Sequence, residues 1–154
     1  MNRTILRNAE PADSSMLTAL TQRSKAHWGY PQAMLDQWKD ILVVSVATIR
    51  DGKVVVAEQD GVPAGYYNLT GEPPNGGLSD LFIEPAAIGT GLGRMLWNHA
   101  VASAHSAGFR TLTLDSDPHA EGFYLHMGAE RIGDRTVAPG RVLPILRFTL
   151  AAAQ

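Results

Sequence analysis

The alternation of apolar and polar positions changes period several times along this chain, and each change predicts an element. Thr4-Ile5-Leu6-Arg7 reads as a short strand. Pro11-Ala12-Asp13 opens a helix in which Met16, Leu17 and Leu20 recur at helical spacing, and it fades near His27. Trp28-Gly29-Tyr30-Pro31 is a turn, because Gly and Pro interrupt the pattern. Pro31 begins a second helix with Met34, Leu35 and Trp38 on one face. Residues 41–50 are apolar without a clear period and are read as loop and partial strand. After a turn at Asp51-Gly52, residues 53–58 and 62–69 form two strands joined by an Asp60-Gly61 hairpin. Pro73-Pro74-Asn75-Gly76-Gly77 reads as a flexible loop.

The run from Asp80 to Gly128 organises the rest. Asp80-Leu81-Phe82-Ile83 is a strand ending at Glu84-Pro85. Ile88-Gly89-Thr90-Gly91-Leu92-Gly93-Arg94 then opens a helix that lasts to about Ala107 and stops at Gly108. Thr111-Leu112-Thr113-Leu114-Asp115 is the next strand, and Asp117-Pro118, a helix N-cap followed by Pro at N1, starts a short helix carrying Phe123-Tyr124. Beyond Gly128, Arg131-Ile132 begins a strand, residues 134–140 are a loop, and residues 142–150 are a final strand. Pro144 marks that last strand as an edge or bulged one. The tail 151–154 is expected to fray. The order is β, α, α, β, β, β, α, β, α, β, β. A doubly wound sheet would alternate regularly; this order predicts an α+β fold with a mixed, mostly antiparallel sheet of about six to seven strands and helices on both faces.

The glycine turn suggests chemistry. The first N–H groups of a helix lack partners and attract anions. Gly89, Gly91 and Gly93 leave those groups uncovered, so a phosphate-bearing ligand is expected there. A P-loop is excluded, because Gly93 is followed by Arg94 and Met95 rather than by Lys and Ser or Thr. A dinucleotide fingerprint is only partial: Gly89 and Gly91 fit, the sixth position is Arg94, and Asp115 stands roughly where a ribose-binding acid would.

Composition narrows the field. A length of 154 residues predicts one domain, 1–154, with a real core. The formal net charge of −2 gives no basic face for nucleic acid. There is no cysteine, which removes disulfides, thiolate metal sites and cysteine nucleophiles. No apolar run approaches the roughly 20 residues of a membrane span. Asn2, Arg3, Asn8 and Glu10 make the start polar rather than signal-like, and a cytoplasmic protein is expected.

Glu84-Pro85 through Arg94 resembles motif A of the GNAT superfamily of N-acetyltransferases, Arg/Gln-x-x-Gly-x-Gly/Ala. Ala120, Phe123-Tyr124 and Met127-Gly128-Ala129 resemble motif B, Ala-x-x-Phe-Tyr-x-x-x-Gly-Phe. The resemblance is weak before Val54 and strong over residues 78–128. Two positions depart from it. Ile88 stands where motif A opens with Arg or Gln, and Asp117 stands where an Asn is common. The resemblance implies a fold in which the two strands flanking the main helix splay and take the acyl-CoA arm in the gap. It implies direct acetyl transfer from acetyl-CoA, as co-substrate and without metal, to an amine of a small molecule or a protein. A homodimer is compatible with it; membrane and nucleic-acid partners are not expected. A catalytically idle acyl-CoA-binding or sensing domain is the alternative.

The resemblance also distributes roles. Backbone groups of Phe82 and Ile83 would pair with the pantetheine arm like an added strand, and the turn Ile88, Gly89, Thr90, Gly91, Gly93, Arg94 would hold the pyrophosphate. Tyr124 would be the acid that protonates the leaving thiolate. The base stays open. Asp80 lies two residues before Phe82, so the two side chains share a sheet face, and it is the leading candidate, with Glu72, His27 and His119 as alternatives. His27, Trp28 and Tyr30 fall where the family's acceptor pocket is often lined; two aromatics and a His suit a ring or a cation. His99 and His105 lie in the main helix without metal-ligand spacing.

Overall fold

Strand β1, Thr4–Asn8, pairs antiparallel with β2, Lys53–Gln59, from Thr4↔Gln59 to Asn8↔Val55. These elements come from a computed structural model that describes residues 3–150; the expected frayed tail lies outside them. β2 turns into β3, Val62–Glu72, at Asp60 and Gly61, whose φ values of 53° and 82° are the left-handed pair a type I′ hairpin requires. The full sheet has seven strands in the order β1-β2-β3-β4-β5-β7-β6. Here β4 is Asn75–Ile83, β5 Thr111–Asp115, β6 Glu130–Ala138 and β7 Arg141–Thr149. It is mixed: β4 and β5 run parallel, while β1–β2, β5–β7 and β6–β7 are antiparallel. The mixed sheet is the one expected.

The chain forms two compact units. The first contains the chain up to Asn68 together with Asp80–Asn98. Helix α1, Ser14–Ala26, buries Leu17, Leu20, Thr21, Ser24 and Lys25, residues that recur every three or four positions. Leu17 and Leu20 join Val44, Ile49, Val54, Val56 and Tyr66 in a core against which Met16 and Phe82 pack. Full burial of each such side chain contributes about 1.5–3 kcal/mol. The Ser14 hydroxyl donates to the Val44 carbonyl at 2.6 Å, and Val44 N–H donates to Thr18 Oγ1 at 2.9 Å. These bonds fix the segment after α2, Gln32–Gln37. Residues 41–50 are not partial strand: Val46–Asp51 is a helix, α3. Ser45 caps it, its hydroxyl accepting from Thr48 N–H at 3.0 Å.

The second unit contains Leu69–Ser79 and the chain from His99 onward. The expected loop 73–77 is instead a tight connection, and β4 already begins at Asn75. Its ladder with β5 runs from Asn75↔Thr111 to Gly77↔Thr113, leaving the later residues of β4 outside it. Gly76 is glycine because a Cβ there would lie 2.3 Å from the Phe109 ring. The expected loop 134–140 is mostly strand. β6 is exposed at almost every position, so its sequence carries no buried alternation to read. β7 is interior rather than an edge, and its ladder with β6 shifts register at Arg131/Gly133 and Thr136/Ala138. Pro144 is tolerated because its carbonyl accepts from Ser116 N–H at 2.9 Å, just past the end of β5 at Asp115. The missing N–H points the same way, so no bond to β6 is lost.

Helix α4, Leu92–Ser106, runs through residues of both units and buries Leu92, Leu96, Trp97, Ala100 and Ala104 along one stripe. Gly108, at φ 93°, ends it. Helix α5 is Glu121–His126. Among the described residues, no helix is long and apolar enough to cross a membrane.

Candidate active site

Three stretches carry the candidate residues. The first is the glycine turn. Glu84 N–H donates to the Ala64 carbonyl at 2.8 Å, and its carboxylate takes the Arg23 guanidinium through Nε at 3.0 and 3.1 Å and through Nη2. This ties α1 to the entry of the turn. A short 3₁₀ turn, Pro85–Ala87, leads to Ile88, which is exposed. Gly89 and Gly91 have φ of 83° and 90°, and a Cβ built on either would meet nothing within 4 Å. Glycine is therefore demanded by the backbone, since other residues resist this conformation by about 1–2 kcal/mol, and the space beyond is open. Gly91 C=O accepts from Met95 N–H at 3.1 Å, and the Thr90 hydroxyl donates to the Ala87 carbonyl at 2.5 Å. Gly93 and Arg94 fall in the first turn of α4, where N–H groups and the helix dipole favour an anion.

The second stretch is the end of β4. Asp80 is half-buried, and Asn68 Nδ2 donates to its Oδ2 at 3.5 Å. Burial raises its carboxyl above the ordinary value, and the Asn68 amide pulls in the other direction. Tyr66 is fully buried on β3. Burial and the Asp80 charge raise its phenol. Phe82 sits 6.0 Å from the Tyr66 ring and faces the core, so only its backbone is open to a ligand role. Ile83 ends the strand, half-buried. Asn68, Tyr66 and Thr21 were missed in the sequence, because nothing local connects α1 or β3 to Asp80.

The third stretch belongs to the second unit. Asp117 is not the N-cap of α5: that position is Ala120, and the Asp117 carbonyl accepts from Ala120 N–H at 2.9 Å. Asp117 Oδ1 instead accepts from His119 N–H at 2.8 Å and lies 2.9 Å from His119 Nδ1. Residues 117–120 thus form a turn ahead of the helix. Tyr124 is buried on α5. Its ring meets Phe123 edge-on at 5.2 Å, and its carbonyl accepts from Ala129 N–H at 3.0 Å.

The α1–α2 connection divides the expected acceptor residues. His27 and Trp28 form an exposed T-shaped pair at 5.0 Å. Tyr30 instead packs edge-on against Trp38 at 4.9 Å, and the Nζ of buried Lys25 lies 5.3 Å from the Tyr30 ring and 5.5 Å from the Trp38 ring. The cation anticipated for Tyr30 is thus supplied by the protein itself. Among the described residues, no group of three or more His, Cys, Asp or Glu could hold a metal ion.

A mixed seven-stranded sheet with a positive-φ glycine turn at the head of its longest helix defines an acyl-CoA N-acyltransferase fold. The chain belongs to the GNAT acetyltransferase domain family, whose model matches residues 18–143. It is 37% identical over 96 residues to a peptidyl-lysine N-acetyltransferase, YjaB, of Salmonella typhimurium. That match covers 62% of this chain and 61% of the relative, so the chain spans about three-fifths of that protein's length. A GCN5-related N-acetyltransferase from Rhodopseudomonas palustris superposes with a TM-score of 0.82 at 22% identity, over 95% of both chains. The PaiA N-acetyltransferase of Thermoplasma acidophilum, solved with coenzyme A, gives 0.79 at 16% identity, over 96% of this chain and 99% of that one.

Proposed function

We propose that this chain is an acetyl-CoA-dependent N-acetyltransferase that passes the acetyl group directly to an amine, and that the whole chain, 1–154, acts as one catalytic domain. The observation that carries this reading is the Gly89/Gly91 turn, held at positive φ with open space before the first N–H groups of α4. A diphosphate fits such a place. The family and the coenzyme A bound in a neighbour of the same fold support it. Ile88 would contribute its backbone, not a charge. Phe82 and Ile83 lie in β4 beyond its ladder with β5, and their peptide groups would pair with the pantetheine arm.

The chemistry then needs three things. An ammonium must lose a proton to become a nucleophile; the amine nitrogen then attacks the thioester carbonyl, the C–S bond breaks as the C–N bond persists, and the nitrogen sheds its second proton, which replaces the one given to the departing thiolate. Asp80 is our candidate for the first proton, its carboxyl raised above the ordinary value by burial, the direction that strengthens a carboxylate as a base. Tyr124 is our candidate to protonate the departing thiolate. Backbone N–H groups would polarise the carbonyl oxygen. The acceptor is taken to be a lysine side chain first, following the Salmonella relative's name, and a free small amine second. His27 and Trp28, the exposed aromatic pair, are the candidate acceptor contacts; Tyr30 contributes by holding Lys25 and Trp38.

The test is thiol release from acetyl-CoA with a lysine-bearing peptide and a panel of small amines. The chain has no cysteine to contribute background. Amine-dependent release is expected. Raised melting temperature with coenzyme A but no release with any amine would leave an idle acyl-CoA-binding domain. Tyr124→Phe should keep coenzyme A affinity and lower kcat by roughly 10²–10⁴; a wild-type single-turnover rate would retire it as the acid. Gly91→Val should abolish coenzyme A binding by calorimetry, since the β-branched residue resists the required φ and intrudes on the approach. Undiminished affinity would make the turn structural only.

A further inference from the structure

Asp80 is served by an amide whose own surroundings are unusual. Asn68 is only 3% exposed, and its Nδ2 donates to Asp80 Oδ2 at 3.5 Å. Its Oδ1 is buried without a hydrogen-bond partner. That oxygen lies against Gly52, where a Cβ would come within 2.4 Å of it. Gly52 has φ −96° and ψ −177°, extended backbone that any residue adopts. Its glycine is thus required for room, not for conformation.

The neighbouring hydroxyl groups offer Asp80 nothing. Thr21 Oγ1 donates to the Leu17 carbonyl at 2.7 Å, which can only accept, so in the 2.6 Å contact of Thr21 with Tyr66 the phenol is the donor. The Tyr66 proton is therefore committed to Thr21. From β3, the groups facing Asp80 are Asn68 and Tyr66; among the described residues no ion pair includes Asp80, and its carboxylate depends on Asn68 for a donor.

We propose that Asn68 is a positioning residue that serves both protonation states of Asp80. It donates Nδ2–H to the carboxylate, and after half a turn of its amide it accepts the O–H of the carboxylic acid at Oδ1. Gly52 leaves the space in which that amide sits. A single amide carries both a donor and an acceptor, so it can follow the proton on and off the carboxyl. The orphaned oxygen is the acceptor held in reserve. This inference rests on the reading of Asp80 as the base.

The test is a carbon-13 NMR titration of the Asp80 carboxyl in the full chain, assigned by loss of the signal in Asp80→Asn. It would be run on the wild type, Asn68→Leu and Gly52→Ala, each checked for cooperative melting. Both variants should raise the Asp80 midpoint by about one pH unit, because the charge-assisted bond to the carboxylate is stronger than the neutral bond to the acid, and Asn68→Leu removes the amide that makes both while the Gly52→Ala methyl crowds it out of place. An unmoved midpoint in either folded variant overturns the proposal. Should Asn68→Leu fail to fold, Gly52→Ala and Asn68→Ser carry the same test. In parallel, kcat/KM for acetyl transfer from acetyl-CoA to a lysine-bearing peptide should show its acid limb moving up with the midpoint while the alkaline plateau stays. A role in packing alone would lower the plateau and leave the limb in place. A limb that stays while the midpoint moves would refute Asp80 as the base rather than Asn68 as its partner.

Discussion

Two aspartates of the first unit, Asp13 and Asp80, have the same side chain and opposite surroundings. Asp13 takes Arg7 bidentately, Nη1 to Oδ2 at 2.8 Å and Nη2 to Oδ1 at 3.0 Å, and accepts from Glu10 N–H at 2.7 Å. Arg7 holds its carboxyl below the ordinary range, and Glu58, 3.5 Å away, steadies Arg7 in turn. Asp80 has one long amide contact, and burial raises it. The first arrangement uses the charge to fasten the start of α1 to β1. The second leaves the carboxyl short of partners, which is what a proton acceptor needs. Both carboxylates are partly buried, and what differs is the partners on their oxygens.

The largest expected difference is in turnover. Asp80→Asn should lower kcat by roughly 10²–10⁴, with coenzyme A affinity kept, while Asp13→Asn should turn over like the wild type. Equal losses in both variants would erase the distinction. The next difference is in stability and has opposite signs. Asp13 contributes stability that is complete above the ordinary carboxylate pKa of about 4 and is lost as pH falls through its lowered value. Asp13→Asn should cost about 1 kcal/mol at neutral pH by urea denaturation and nothing in strong acid. Asp80, raised, favours the fold most below about pH 4 and loses that advantage as pH rises through its folded value. Asp80→Asn should therefore gain stability at neutral pH relative to the wild type. Loss of stability in both variants at neutral pH would show that Asp80 is held charged after all.

Local signals were legible where backbone chemistry is local. The Asp60-Gly61 hairpin, the glycine turn before α4 and the stop at Gly108 all rest on positive φ, which the sequence announces. The mixed order of strands and helices followed from them, and so did the family. Helix α3 was hidden because a six-residue helix capped by Ser45 is too short to show a period. The start of β4 was hidden because prolines that look like loop close a tight connection into a paired strand. β6 was hidden by its exposure, and the interior place of β7 by a proline whose missing donor costs nothing where it sits. In the candidate site, the turn and Tyr124 could be read from motifs. The partners of Asp80 could not: Asn68 lies 12 residues away, across the β3–β4 connection, and Gly52 is on another element again.

The most direct measurement is a single-turnover experiment, mixing enzyme preloaded with acetyl-CoA against a lysine-bearing peptide and following thiol release across the neutral range. It isolates the chemical step from binding and release. The account predicts that Asp80→Asn slows this step by orders of magnitude and abolishes its acid limb, while Asp13→Asn matches the wild type. An Asp80→Asn rate equal to wild type, with the limb intact, would contradict it.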